Sequence, residues 1–287
     1  MIRGQNVTLF NPQGYIADQQ HRLFVLIGGL LLLTATPVVL LLYFTAWKYR
    51  ETSSNTAAHA AAHPERAPSQ LFGYITWGFP ILCLVLFVSI LWPATHKLEP
   101  RKAIASGVKP MTIQVVAMRW KWLFLYPDQK IASVNYVQIP KDTPVKFELT
   151  ADDAPMSSFW IPNLGGQLYA MTGHVNRLNL VPNKLGLYDG RSAEINGAGF
   201  SGMTFKANVT TAADFDKWTL SARQSSPMLD SATYANLVKP SQDSPVLYYG
   251  DYQSDLYSNI AAKYMSSHMS HTAEAVTTPN AEHEAHE

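Results

Sequence analysis

Residues 190–203 read G-R-S-A-E-I-N-G-A-G-F-S-G-M and gather a hydroxyl (Ser192), a carboxylate (Glu194), an amide (Asn196) and a thioether (Met203) in one turn-rich stretch. The stretch also holds a formal G-x-G-x-x-G at Gly197, Gly199 and Gly202. A dinucleotide fingerprint needs a strand before those glycines and a helix after them. The residues after them, M-T-F-K-A-N-V, read as strand, so the match is a false positive and the glycines serve tight turns. Other ligand-type residues are scattered. His59 and His63 are spaced i, i+4, but no carboxylate or cysteine completes a set, and they read as solvated loop histidines. His174, after Gly173, reads as a lone surface histidine. His268, His271, His283 and His286 form two His-x-x-His pairs, the first close to Met265 and Met269; without a fold to fix their geometry they would hold metal only weakly. The one cysteine, Cys83, lies in an apolar run, which excludes an intrachain disulfide and any Cys-pair metal site. No Ser-His-Asp arrangement or carboxylate pair can be argued from spacing, so no catalytic residue is assigned.

A net charge of +1 and the lack of a basic cluster interleaved with aromatics exclude nucleic acid as a partner. Two charge-free runs dominate the first third of the chain. Residues 23–47 span 25 positions, enough to cross a hydrocarbon core of ~30 Å with some tilt. Pro37 sits mid-run, where a membrane span tolerates it. Trp47 and Lys48-Tyr49-Arg50 form an interfacial anchor. Residues 71–95 form the second span, interrupted by Pro80 and closed by Trp92 and Lys97. Between them, 48–70 is a polar connecting loop. Basic residues flank the loop and the second span almost equally, so charge alone does not orient the hairpin. Residues 1–20 contain no apolar h-region, so no cleavable signal peptide is expected in the sequence as it stands.

From Met111 onward, short β-rich segments alternate with turns. Strands are expected over 111–118, 119–126, 133–139, 144–150, 157–162, 176–181, 186–188 and 203–209, which predicts a β-sandwich or barrel. After Asn208 the pattern becomes helical. Phe215, Trp218 and Ala222 form a stripe over 212–223, Leu220 falls off it, and Thr211 or a neighbour would cap it. Further helices are expected over 228–238 and 255–265, then a disordered polar tail over 266–287.

Three motifs carry a resemblance. Residues 190–203 match the spacing of the copper loop of subunit II of the haem–copper respiratory oxidases, Cys-x-Glu-x-Cys-Gly-x-x-His-x-x-Met. Ser192 and Asn196 stand at the cysteines and Phe200 at the histidine, while Glu194 and Met203 remain. S-S-F-W-I-P-N-L-G at 157–165 resembles the segment bearing the first copper histidine, with Ser157 in its place. Trp120-Lys121-Trp122 with Tyr126-Pro127 resembles the family's aromatic stretch, which passes electrons in copper-bearing members. Leu237-Val-Lys-Pro-Ser241 is similar to a motif in the helical extension of the quinol-oxidising, cytochrome bo-type branch. Two departures stand out. Gly73 replaces a glutamate that in related oxidases lies near a proton path. Gln5 stands where an acylated cysteine is usual, so either a segment is missing or this member lacks the anchor.

The resemblance implies a two-helix membrane hairpin, a cupredoxin-like β-sandwich over 96–209, a helical extension over 210–265, and an extracytoplasmic segment over 1–22. It places the 48–70 loop in the cytoplasm and the main domain in the periplasm of a bacterial inner membrane. It implies a non-catalytic subunit 2 of a proton-pumping ubiquinol oxidase, with a haem-bearing subunit I and other subunits as partners, membrane lipid around the spans, and quinol reaching the complex as a whole. No cofactor or metal is expected in this chain, because hydroxyls, an amide and a phenyl ring cannot replace thiolates and imidazole; haems and copper belong to subunit I. Glu194 reads either as a solvated loop carboxylate or, as the resemblance implies, as a residue facing the catalytic subunit. A copper-bearing cytochrome c oxidase subunit II and a stand-alone membrane-anchored binding protein are the alternatives.

Overall fold

The computed structural model describes residues 10–50, 69–104 and 106–264. Gln5, the histidines at 59 and 63 and the four tail histidines lie outside the described residues. The chain divides into two units, residues 21–99 and the remainder.

The first unit is built from two long helices, α1 (Tyr15–Lys48) and α2 (Gln70–Lys97). Both are long and apolar enough to cross a membrane. Pro37 stays inside α1, and Pro80 and Pro93 stay inside α2. Several of their hydroxyls are satisfied within the helix: Thr34 Oγ1 donates to Leu31 O and Ser89 Oγ to Val85 O, both at hydrogen-bond distance. A helix in hydrocarbon must meet its polar groups internally, and these do. α1 begins eight residues before the expected span. Asp18 in its first turn suits the positive end of the helix. Its first residues, 15–20, belong to the other unit, within which Tyr15 N donates to Val181 O (2.9 Å) and Ala17 N to Leu164 O (3.2 Å).

The second unit is a sandwich. Its strands are β1 (Met111–Met118), β2 (Lys121–Tyr126), β3 (Ile131–Val134), β4 (Tyr136–Pro140), β5 (Val145–Ala151), β6 (Ser157–Trp160), β7 (Leu168–Ala170), β8 (Asn176–Leu180), β9 (Gly186–Ser192) and β10 (Thr204–Thr210). Beyond them lie α3 (Ala212–Ser225), β11 (Met228–Leu229), α4 (Ser231–Val238), β12 (Leu247–Tyr249), β13 (Asp251–Tyr252) and α5 (256–264). A six-stranded sheet has the order β12-β3-β2-β1-β5-β8 and a five-stranded sheet the order β4-β10-β9-β6-β7. Pairings are antiparallel except β1 with β5 and β10 with β4 in these two sheets, so the chain crosses between sheets rather than meandering. This is a cupredoxin-like sandwich.

Side-chain alternation explains two cores. Ile113, Val115 and Ala117 of β1, with Trp122, Phe124 and Tyr126 of β2, enter the core between the sheets. Their neighbours Val116, Met118, Leu123 and Leu125 point to the other face, where Leu229, Tyr249, Tyr252, Leu256 and Ile260 cover them. A strand buried on both faces is apolar throughout, which is why W-L-F-L-Y does not alternate.

The structure shifts several expected elements. The 119–126 strand begins at Lys121, because Trp120 adopts φ +65° and turns the chain. The 133–139 strand is two strands in different sheets, broken at Asn135 with φ +55°. The 186–188 strand runs on to Ser192. The 228–238 helix starts only at Ser231, capped by Asp230, whose carboxylate accepts from Thr233 N; Met228–Leu229 pairs with β13 instead. β7 and β12 have no counterpart among the expected strands. The α3 reading matches: Thr211 caps it, Phe215 and Ala222 are buried, and Leu220 is exposed.

Candidate functional site

Four of the loop and loop-facing residues converge. Ser157 at the start of β6, Ser192 at the end of β9, Asn196 in the loop and Met203 before β10 are all buried. β6 pairs with β9 so that Phe159 faces Ser192, and Ala193 N donates to Ser158 O (2.9 Å), which holds the loop's first limb on the sheet. Asn196 Nδ2 donates to Ser157 Oγ (2.7 Å) and lies 3.0 Å from Met203 Sδ. Ser157 Oγ in turn donates to Pro155 O (3.1 Å), and Ser192 Oγ to Glu194 O (3.1 Å). Asn196 therefore ties the start of β6 to the far end of its own loop. Among the described residues its Oδ1 is buried without a hydrogen-bond partner.

The loop is clamped from outside as well. Trp120 lies against Gly197 and Gly199; a Cβ at Gly199 would sit 2.4 Å from the indole. Trp120 Nε1 donates to Asn196 O (3.4 Å). A bulky residue at positive φ is strained by ~1–3 kcal/mol, and this packing over-determines it. Gly197 has φ +117°, a conformation that suits glycine. A 3-10 turn at Phe200–Gly202 closes the loop and leads into β10, not a helix, so the G-x-G-x-x-G has no dinucleotide context. Gly202 abuts Asp243 of the C-terminal extension.

Phe200 is half-buried on that turn, Glu194 is half-buried and Ile195 exposed beside it. His174 is exposed, with Nδ1 3.4 Å from Thr172 O. Among the described residues, no group of three or more His, Cys, Asp or Glu is placed to hold a metal. A dinuclear copper centre requires soft bridging thiolates. Two hydroxyls, an amide and one thioether do not fit it, and the Asn196 amide already engages Ser157 and Met203.

Sequence reasoning misses the polar pins beneath the extension. Asn135 is 6% exposed and uses every polar group. Its N donates to Trp122 O (2.8 Å), its Oδ1 accepts from Trp122 N (2.9 Å), its O accepts from Lys206 N (3.1 Å), and its Nδ2 donates to Ser244 O (2.8 Å). Lys121 is buried, and its Nζ donates to Leu237 O (2.8 Å) and Lys239 O (2.9 Å) at the end of α4; burial lowers its pKa. The signal for Asn135 is its type, since Asn tolerates the left-handed region. Asp152, which sequence reasoning does not single out, is buried too.

The sandwich, its loop and its covering extension define the class. Residues 129–210 match the family model for the cytochrome c oxidase subunit II periplasmic domain, and 223–268 match the COX aromatic rich motif. Cytochrome bo(3) ubiquinol oxidase subunit 2 of Pseudomonas putida is 44% identical over 92% of this chain and 82% of its own length. The subunit of the same name from Pseudomonas aeruginosa is 39% identical over 99% of this chain and 85% of its own. The chain belongs to the cytochrome bo(3) ubiquinol oxidase subunit 2 family. Among solved structures, the periplasmic domain of subunit II of cytochrome oxidase of Bradyrhizobium japonicum is 21% identical over 43% of this chain and 98% of that one, with a TM-score of 0.39.

Proposed function

We propose that this chain is the non-catalytic, copper-free subunit 2 of a proton-pumping quinol oxidase. It anchors in the inner membrane by α1 and α2, presents the sandwich to the periplasm, and supports assembly and stability of a haem-bearing partner subunit. The observation that carries this reading is the Asn196 amide between Ser157 and Met203, which does structurally what a metal would do by coordination. With no thiolate in the loop, there is no centre to take electrons from a soluble donor. Quinol arrives through the membrane, so none is needed.

Purification in mild detergent tests the reading. The expected result is co-purification with a larger haem-bearing subunit, quinol oxidase activity in the complex, and no copper in this chain when it is separated. Copper retained by the separated chain with near-infrared absorption, or a haem-free monomer as the native form, would overturn it.

A further inference from the structure

Asp152, just after β5, is 2% exposed, and both of its oxygens are used by the C-terminal extension. Oδ1 accepts from Lys263 Nζ (2.8 Å) and Tyr264 OH (2.7 Å), and Oδ2 from Tyr234 OH (2.6 Å). Tyr264 OH also accepts from Asp153 N (2.9 Å). The other charged groups nearby are engaged elsewhere. Arg119 Nε donates to Asp153 O (2.8 Å) and lies 3.6 Å from its carboxylate, while Lys121 Nζ binds the carbonyls at the end of α4. Lys263 is therefore the cation that compensates Asp152.

We propose that Asp152 is the release point of a separable C-terminal cap: neutralising this one carboxylate frees residues 256–264 from the sandwich while the two sheets stay folded. The other attachments of the extension grip different parts of it. Lys121 holds the end of α4, Asn135 holds Ser244, and β12 pairs with β3. What remains for α5 is Leu256, Tyr257 and Ile260 in the second core and the buried Ala261, and among the described residues the Tyr257 hydroxyl is buried without a hydrogen-bond partner. A helix so attached opens as a local unit when its polar anchor fails.

The pH window is set by the carboxyl. Burial pushes it up, and the hydrogen bonds from Lys263, Tyr234 and Tyr264 outweigh that, leaving it below the ordinary carboxylate range. A depressed folded pKa means the docking energy is fully present above the unfolded value and is lost as pH falls through the folded one. The cap is thus closed at neutral pH and opens only in acid below the ordinary carboxylate range.

Hydrogen exchange on the full chain in detergent tests this. At neutral pH, Asp152→Asn is expected to speed exchange of 256–264 by about tenfold or more, with 111–126 unchanged. The unsubstituted chain should show the same local opening in acid, and Asp152→Asn should show no further acid response there. Lys263→Met should move the acid opening to higher pH, because the carboxylate loses its cation; a merely structural contact would not move that midpoint. Equal protection of 256–264 in Asp152→Asn would overturn the proposal, as would joint loss of protection at 111–126, failure of that variant to fold, or an unmoved acid midpoint in Lys263→Met.

Discussion

Asn196 and Asn135 are both buried amides, but they stand in different balance. Asn135 has each polar group satisfied and joins β2, β10 and the extension. Asn135→Ala would orphan the Trp122 amide, lose the bond to Ser244, and put a less tolerant residue at positive φ. It is expected to destabilise the folded chain by ~2–4 kcal/mol, read from denaturant unfolding followed by tryptophan fluorescence. At Asn196 the amide faces a thioether and a hydroxyl, and no cation is among its hydrogen-bond partners in the described residues. Asn196→Asp would bury an uncompensated carboxylate, and a loss of ~3 kcal/mol or more is expected at neutral pH. That carboxyl would have a raised folded pKa, so the deficit should shrink as pH is lowered; a deficit independent of pH would mean that the loop opens to water instead. Gly190 is set by packing: a Cβ there would lie 2.1 Å from the ring of Phe205, which stacks on Phe159 at 5.0 Å and 9°. Gly190→Ala should therefore cost ~1–3 kcal/mol through overpacking, measured in the same unfolding experiment.

At the scale of elements, the extension is part of the fold. It supplies β12 to the six-stranded sheet and covers the outward side chains of β1 and β2. A chain ending after Thr210 would expose Val116, Met118, Leu123, Leu125, Ala132 and Val134 on one face. Such a patch is an aggregation surface. The truncated chain is expected to bind a hydrophobic dye and to elute as aggregate on gel filtration, whereas Leu220→Ser on the exposed side of α3 should change stability by no more than ~0.5 kcal/mol. Much of this level is legible in the sequence. The α3 stripe, its Thr211 cap and most strand positions follow from period and turn chemistry. The break at Trp120 is not legible and that at Asn135 is signalled by residue type alone, because positive φ at those residues is sustained through the fold: by Gly197 and Gly199 for one, by Trp122, Lys206 and Ser244 for the other.

For the whole molecule, two apolar helices and a folded unit of the quinol-oxidase subunit 2 family describe a membrane-anchored protein. Alkaline carbonate should leave the chain in the membrane pellet, since integral spans resist extraction while peripheral electrostatic attachment does not. The proposed orientation predicts that protease added to the periplasmic side cuts the sandwich unit and spares residues 51–68; the reverse pattern would invert the topology. The charge pattern is too even to decide this, and a long domain crosses largely regardless of it.

The sequence by itself determined the two spans, the β-sandwich class, the absence of thiolates from the loop and the quinol-oxidase resemblance, because length, period and residue type are local properties. Only the tertiary structure decided what occupies the loop's centre. Asn196, Ser157 and Met203 meet because β6 pairs with β9 and a 3-10 turn returns Met203 beneath them. It likewise decided that Asp152 and Lys121 are buried anchors, since Lys263 and Leu237, their partners, lie more than a hundred residues away. Burial and hydrogen bonding between distant segments depend on how the sheets and the extension stack, which no local pattern of residues records.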